Sequence, residues 1–282
     1  MENIKSIMVT GASGYIGRHV ISSLLSRGVK VVAVDMVNRG IPELAEVYVG
    51  NILNDAGFVD ILPRCDVLLH LAWQDGFVHN ATSHLANLHH HFDFVKKMTE
   101  RGIQQVAVMG TMHEVGYWEG AIDEDSPCNP LSMYGIAKNA LRQALSVEFK
   151  NKPITFQWLR GFYIYGDDHF NHSIFTKLLE AAESGKETFP FTSGKNKYDF
   201  LHVEELAERI AVTVMQTETD GIINCCSGVP LSLGEAVENF IKSHSLKISL
   251  DYGAFPDRPY DSPGVWGDAT KINQIMDRDR RA

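Results

Sequence analysis

The stretch Thr10-Gly11-Ala12-Ser13-Gly14-Tyr15-Ile16-Gly17 restricts this chain more than any other. It follows the apolar run Ser6–Thr10 and opens an amphipathic segment, Tyr15–Ser26. There Ile16, Val20, Leu24 and Leu25 share one face, and Gly28 marks the stop. Strand, glycine turn and helix in that order form a phosphate cradle. Gly11 makes the tight reversal, Gly14 lets backbone approach a pyrophosphate, and Gly17 lets helix lie close to strand. The free N–H groups at the helix start face the anion. Ser13, Tyr15 and Ile16 belong to the same turn and are expected to line the cofactor with it. Asp35 ends the next apolar run, Lys30–Val34. An acid there accepts hydrogen bonds from both adenosine-ribose hydroxyls and repels a 2′-phosphate, which favours NAD. Arg39 is able to neutralise a 2′-phosphate, so NADP stays open.

The same alternation continues. Val47–Val49, Val67–Leu71 and Gln105–Met109 read as short buried strands, and Ala81–Glu100 and Ser132–Phe149 as long helices. Apolar runs of about five residues separated by helices predict a parallel sheet covered on both faces. The expected fold is α/β: a Rossmann-type doubly wound parallel sheet with a smaller C-terminal α/β substrate-binding lobe. The expected division is 1–160 for the cofactor domain and 161–282 for the lobe, with elements interleaved. Beyond Leu159, Asn171–Ser184 and Glu204–Thr217 read as helices, and Tyr252–Gly267 is rich in Pro, Gly and aromatics.

The length of 282 residues accommodates both parts, and 44% hydrophobic with 22% charged residues is ordinary for a globular protein. The net charge of −9 argues against nucleic acid as a partner. No apolar run is long enough for a membrane span, and the first residues lead straight into a strand, so no cleavable signal is expected. Cys65, Cys128, Cys225 and Cys226 show neither metal-ligand nor disulfide-rich spacing, as in a cytoplasmic protein with reduced thiols.

Tyr134 and Lys138 stand four apart on the predicted helix, hence on one face. A phenol with an ordinary pKa near 10 exchanges protons poorly at neutral pH, and a nearby ammonium is expected to favour the phenolate. Lys138 is also placed to hold nicotinamide-ribose hydroxyls. Thr111 follows the strand Gln105–Met109, at the sheet edge where open α/β folds place ligands. Its hydroxyl is suited to hold a substrate oxygen beside the phenol.

These stretches make the chain resemble the extended short-chain dehydrogenase/reductases, the NAD-dependent epimerase/dehydratase family of nucleotide-sugar enzymes. The resemblance rests on T-G-A-S-G-Y-I-G (10–17), Asp35, H-L-A-W (70–73), Asn87, Thr111, Y-G-I-A-K (134–138), L-R-G-F-Y-I-Y-G (159–166), Y-D-F-L-H-V (198–203), and R-P-Y-D with W-G-D-A-T-K-I (258–272). It implies that Thr111, Tyr134 and Lys138 are the catalytic triad. It places Asn51 and Ile52 beside the adenine, and Leu71 and Ala72 along the cofactor; Trp73, next to them, is suited to pack on a nicotinamide or sugar ring or in the core. Asn87 would support the active-site backbone, and Phe162 and Tyr163 would lie near nicotinamide and sugar. Arg258 would grip the nucleotide diphosphate. Apart from the resemblance, Lys195 and Lys197 are placed to help hold the diphosphate, and His113, two residues after Thr111, to contact the sugar or act as a second proton-transfer group. The resemblance also implies a homodimer through Ala81–Glu100 and Ser132–Phe149.

The chain departs from the family's pattern at Tyr163, where many members have Asn, and at Tyr198, where many have Arg. It also has Thr111-Met112-His113 where the 4,6-dehydratases carry Thr-Asp-Glu, and Glu114 falls one position too late. Dehydration is therefore not expected. The expected activity is NAD(P)-dependent reduction of a 4-keto-6-deoxy nucleotide hexose, UDP- or dTDP-linked. The alternatives are a 4-epimerase retaining NAD and a non-catalytic NAD(P)-binding protein. His79, His84, His89, His90 and His91 show no metal-ligand spacing and read as a helix surface or interface, with no metal expected.

Overall fold

A computed structural model describes residues 4–167, 173–257 and 261–281. Arg258, and with it the start of the R-P-Y-D stretch, lies outside the described residues. In chain order the first half runs β1 (Ser6–Thr10), α1 (Tyr15–Ser26), β2 (Lys30–Asp35), β3 (Glu46–Val49), α2 (Ala56–Ile61), β4 (Val67–His70), α3 (Ser83–Ala86), α4 (Leu88–Glu100), β5 (Gln105–Thr111), β6 (Gly120–Ile122) and α5 (Met133–Phe149). It continues with β7 (Thr155–Gly161), β8 (Tyr163–Tyr165), α6 (Ile174–Glu183), β9 (Thr188–Pro190), β10 (Lys197–His202), α7 (Val203–Val214), β11 (Gly221–Cys225), β12 (Pro230–Ser232), α8 (Leu233–Ser243), β13 (Ser249–Asp251), β14 (Gly264–Gly267) and α9 (Thr270–Asp279).

Seven strands form a parallel sheet in the order β3-β2-β1-β4-β5-β7-β11. Its central strands are buried and mostly apolar because both faces are covered. Ile7, Val9, Val31 and Leu69 pack with Val20, Ile21 and Leu24 of α1 and Leu206 and Ile210 of α7. Met8, Val32, Leu68 and Val106 pack on the other face with Phe94 and Met98 of α4 and Leu141 and Leu145 of α5. The sheet is the Rossmann-type layer expected from the glycine turn and the alternation.

A second sheet, β12-β10-β14-β6 with β8 added to β10, lies in the smaller lobe. Phe175, Leu178, Phe191, Val237 and Phe240 make its own core. The chain passes between the two layers repeatedly: β6 comes from the first half, while β11 and α7 return from the second half to the main sheet and to α1.

The predicted helix over 81–100 is divided. Asn87 ends α3 and begins α4, and its Nδ2 donates to Gln74 Oε1 at 3.0 Å. Ser132 caps α5, its Oγ accepting from Gly135 N at 3.1 Å, so Tyr134 falls in the first turn of that helix.

Candidate active site

The glycine turn meets a neighbour rather than empty space. Gly11 has φ +70°, and a Cβ there would lie 2.7–2.9 Å from the backbone of Leu71 and Ala72. A Cβ on Gly17 would collide with the Gly11 carbonyl. Only glycine allows β1, α1 and the end of β4 to close up in this way. Asp35 reaches across from β2: its Oδ2 accepts from Ser13 N at 2.8 Å and its Oδ1 from Met36 N at 2.7 Å. A cleft runs from these groups past Asn51 and Ile52 to Leu71, Ala72 and Trp73.

This cleft fits a dinucleotide on three observations. Gly11 and Gly14 line it without side chains, so backbone can come close to a phosphate. The α1 N-terminus, with no side-chain cap at Gly14, keeps free N–H groups for that phosphate. Asp35 supplies the acceptor for ribose hydroxyls. Gly11, Ser13, Gly14, Asp35, Asn51, Ile52, Leu71, Ala72 and Trp73 share the cleft, with Asn87 and His91. Tyr15 and Ile16 do not line it. The Tyr15 hydroxyl lies against Gly166, and Ile16 packs on the core. Arg39 is not among the lining residues either.

Thr111 is the last residue of β5 and 6% exposed. Its hydroxyl accepts from His113 N at 3.3 Å, and its own N–H donates to Glu114 Oε1 at 2.6 Å, a capping box over one 3-10 turn, Met112–Glu114. Tyr134 lies over this turn; burial raises its phenol, and contact with the Thr111 hydroxyl opposes that rise in small part. Three histidines surround the phenol ring: His79 stacks at 5.5 Å, His84 lies at 5.3 Å and His113 at 6.2 Å between ring centroids. Burial lowers the pKa of His79, and takes His113 down to about 4.

Lys138 differs from the sequence expectation. Its Nζ donates to the Met109 carbonyl at 2.7 Å, sits 3.9 Å from the centroid of Trp73, and is 6.0 Å from the Tyr134 ring. Burial brings it down to about 7, with the Glu114 charge opposing. The Tyr134 phenol is pushed up to about 12, first by burial and then by the Glu114 charge. Among the protein's own groups, desolvation outweighs any help from the ammonium, so the phenol form is the stable one.

The histidine segment is not a surface. His84 and His91 are each 1% exposed. His91 Nδ1 is 2.9 Å from His70 Nε2, and His70 Nδ1 is 2.8 Å from Thr10 Oγ1. Trp73 stacks on His91 at 4.4 Å and donates from Nε1 to His84 Nδ1 at 3.0 Å. The turns of α3 and α4 direct these rings inward against β4, while His89 remains exposed.

Of the expected sugar-side residues, His113 lies beside Tyr134. Phe162 is 9% exposed and packs in the main core, where a Cβ on Gly267 would touch it. Tyr163 packs on Tyr198 at 4.4 Å in the lobe, and Lys197 opens β10 at an exposed position. Neither Phe162 nor Lys197 lines the described cleft. A second cavity of about 650 Å³ in the lobe was not foreseen from sequence. Tyr165, Phe200 and Phe240 wall it, and Asp167 lies there between His202 and His244. Glu114 was also missed as a structural centre, although the Thr111–Glu114 spacing carries a capping-box signal.

The family model described as the NAD dependent epimerase/dehydratase family matches residues 7–226. The dTDP-6-deoxy-L-talose 4-dehydrogenase (NAD(+)) of Aggregatibacter actinomycetemcomitans is 47% identical over 268 residues, which is 93% of this chain and 99% of that protein. Among solved structures, a UDP-glucose 4-epimerase from Thermotoga maritima with UDP-glucose superposes with a TM-score of 0.82 at 20% identity, over 95% of this chain and 91% of that one. The protein MoeE5, in complex with UDP-glucuronic acid and NAD, gives 0.80 at 24% identity, over 96% and 92%. At these identities the two structures speak for the fold.

Proposed function

Because this chain belongs to the NAD-dependent epimerase/dehydratase family, we propose that it is an NAD-dependent nucleotide-sugar oxidoreductase that reduces the C4 carbonyl of a 4-keto-6-deoxy hexose. The observation that carries the reading is Tyr134, held as a phenol over Thr111 with Lys138 one helical turn on. The relative that is 47% identical is named as a 4-dehydrogenase of a dTDP-linked 6-deoxy sugar, which supports the dTDP-linked class and the C4 position. A ketone and its alcohol are joined by one reversible step, so the same residues serve either direction.

Gly11, Ser13, Gly14 and Asp35 would hold the pyrophosphate and adenosine ribose, and Lys138 the nicotinamide ribose. The nicotinamide, when bound, supplies the hydride that the sugar carbon takes up. Thr111 holds the sugar oxygen by its hydroxyl, and Tyr134 donates its proton to that oxygen as negative charge develops there. His113 and His79, both neutral by burial, confine the sugar without adding charge. The Thr111-Met112-His113 run offers no acid for dehydration. Tyr134→Phe should abolish turnover of 4-keto-6-deoxy dTDP-hexose while leaving NADH binding intact; undiminished turnover would refute the role. The 4-epimerase reading would be favoured instead by turnover without net loss of NADH.

A further inference from the structure

Glu114 is wholly buried, yet it does not face the cleft. It turns back under the end of β5. Its Oε1 accepts from Thr111 N at 2.6 Å, and both carboxylate oxygens lie 2.9 Å from Trp158 Nε1. Arg142 Nε and Arg160 Nη2 approach Oε2 to 3.7 and 3.8 Å. The space beneath is made by Gly110, where a Cβ would lie 2.7 Å from Glu114 Oε1. Arg160 is itself 0% exposed, and a guanidinium there keeps its proton and requires an anion. Burial pushes the Glu114 carboxyl up, but the neighbours of its two oxygens, Arg160, Thr111 N, Trp158 Nε1 and Arg142, are cations and N–H donors, and they hold it as the carboxylate. The Glu114 charge acts on the proposed proton donor and is joined by hydrogen bond to the backbone of that donor's partner, Thr111.

Among the described residues, few other charges face Tyr134. From the loop before α3 comes His79, and from α3 His84. From the 3-10 turn comes His113, and from its own helix Lys138. Burial holds His79 and His113 down and so uncharged near neutrality. Lys138 points its ammonium at Met109 O and Trp73. Among the described residues Glu114 is the anion that acts on the phenol, and a nearby anion favours the uncharged form.

We propose that Glu114 is a positioning residue for this reaction: its buried carboxylate fixes Thr111 at the end of β5 and its charge keeps Tyr134 in the protonated form that donates to the sugar oxygen. The proposal rests on the reading of Tyr134 as the proton-transfer group.

The test is the pH profile of kcat/KM for reduction of a 4-keto-6-deoxy dTDP-hexose by NADH, in wild type, Glu114→Gln, Glu114→Asp and Tyr134→Phe. Reduction needs the phenol, so the rate is full below the Tyr134 pKa and falls as pH rises through it. Without the anion the phenolate is easier to form. The falling limb of Glu114→Gln should therefore move to lower pH by about one pH unit. Glu114→Asp keeps the charge, so its limb should stay in place even where kcat drops. A merely structural role would lower kcat in both variants and move neither limb. If Glu114→Gln does not fold, Glu114→Gln with Arg142→Gln removes one cation along with the anion, and its limb should move the same way. A folded variant lacking the Glu114 carboxylate whose limb stays at the wild-type pH overturns the proposal. Turnover retained by Tyr134→Phe would instead overturn the reading beneath it.

Discussion

Lys138 holds its Nζ 3.9 Å from the centroid of the Trp73 ring. That ring system also stacks on His91 at 4.4 Å, and the indole N–H is tied to His84. The lysine is thus held by an aromatic platform and by Met109 O, not by Tyr134. A cation on an indole face gains about 0.5–2 kcal/mol, and Trp73 and His91 border the cleft. Trp73→Leu should weaken NADH binding by about tenfold. Titration calorimetry with NADH checks this, and unchanged affinity would count against the platform.

The contact between Gly17 and the Gly11 carbonyl leads to a second expectation. A methyl group at residue 17 forces α1 away from the glycine turn. Gly17→Ala should lose about 1–3 kcal/mol of stability, the range for overpacking, and most of its NADH affinity. Thermal melting with and without NADH measures both. A variant with wild-type melting temperature and affinity would show that the turn tolerates the shift.

Acid should destabilise the protein through His70. Burial pushes that ring down to about 3 from an ordinary 6.5. The unfolded chain takes up the proton near 6.5 while the native chain refuses it to about 3. The contribution is therefore full above 6.5 and is lost progressively as pH falls toward 3. His91, beside it, is pushed down by burial and by His70. The denaturant midpoint should fall steadily over that window, with a shallower slope in His70→Gln. An equal slope in the variant would place the acid sensitivity elsewhere.

Asp35 should set the choice of cofactor. Its carboxylate is locked by Ser13 N and Met36 N into a position facing the cleft. Asp35→Ser should lower the preference for NADH over NADPH by at least about tenfold, since it removes a repulsion worth about 1–2 kcal/mol. The ratio of kcat/KM for the two cofactors is the readout. An unchanged ratio would assign the discrimination to another group.

The Rossmann-type sheet was legible because its determinants are local. Gly11, Gly14 and Gly17 fall between a strand and a helix, Asp35 ends the next strand, and the apolar runs have the length of buried strands. The spacing of Tyr134 and Lys138 likewise put both on one helix face. What was hidden depends on contacts far apart in sequence. Nothing local says that Lys138 will be drawn to Met109 O and Trp73, or that burial will outweigh it at Tyr134. The helix break at Asn87 turns His84 and His91 inward, so a segment that reads as polar surface forms the cleft wall. Glu114 was visible as the end of a Thr-x-x-Glu capping box, but its buried partners Trp158 and Arg160 lie more than 40 residues away. Tyr163, Tyr198 and the aromatic cavity of the lobe follow from the pairing of β8 with β10, which no short motif encodes.

The most direct measurement follows NADH absorbance while the enzyme meets a 4-keto-6-deoxy dTDP-hexose, with sugar products counted in the same sample. One NADH consumed per sugar reduced, lost in Tyr134→Phe, is the predicted result. Conversion of sugar with no net change in NADH, or full consumption by Tyr134→Phe, would contradict it.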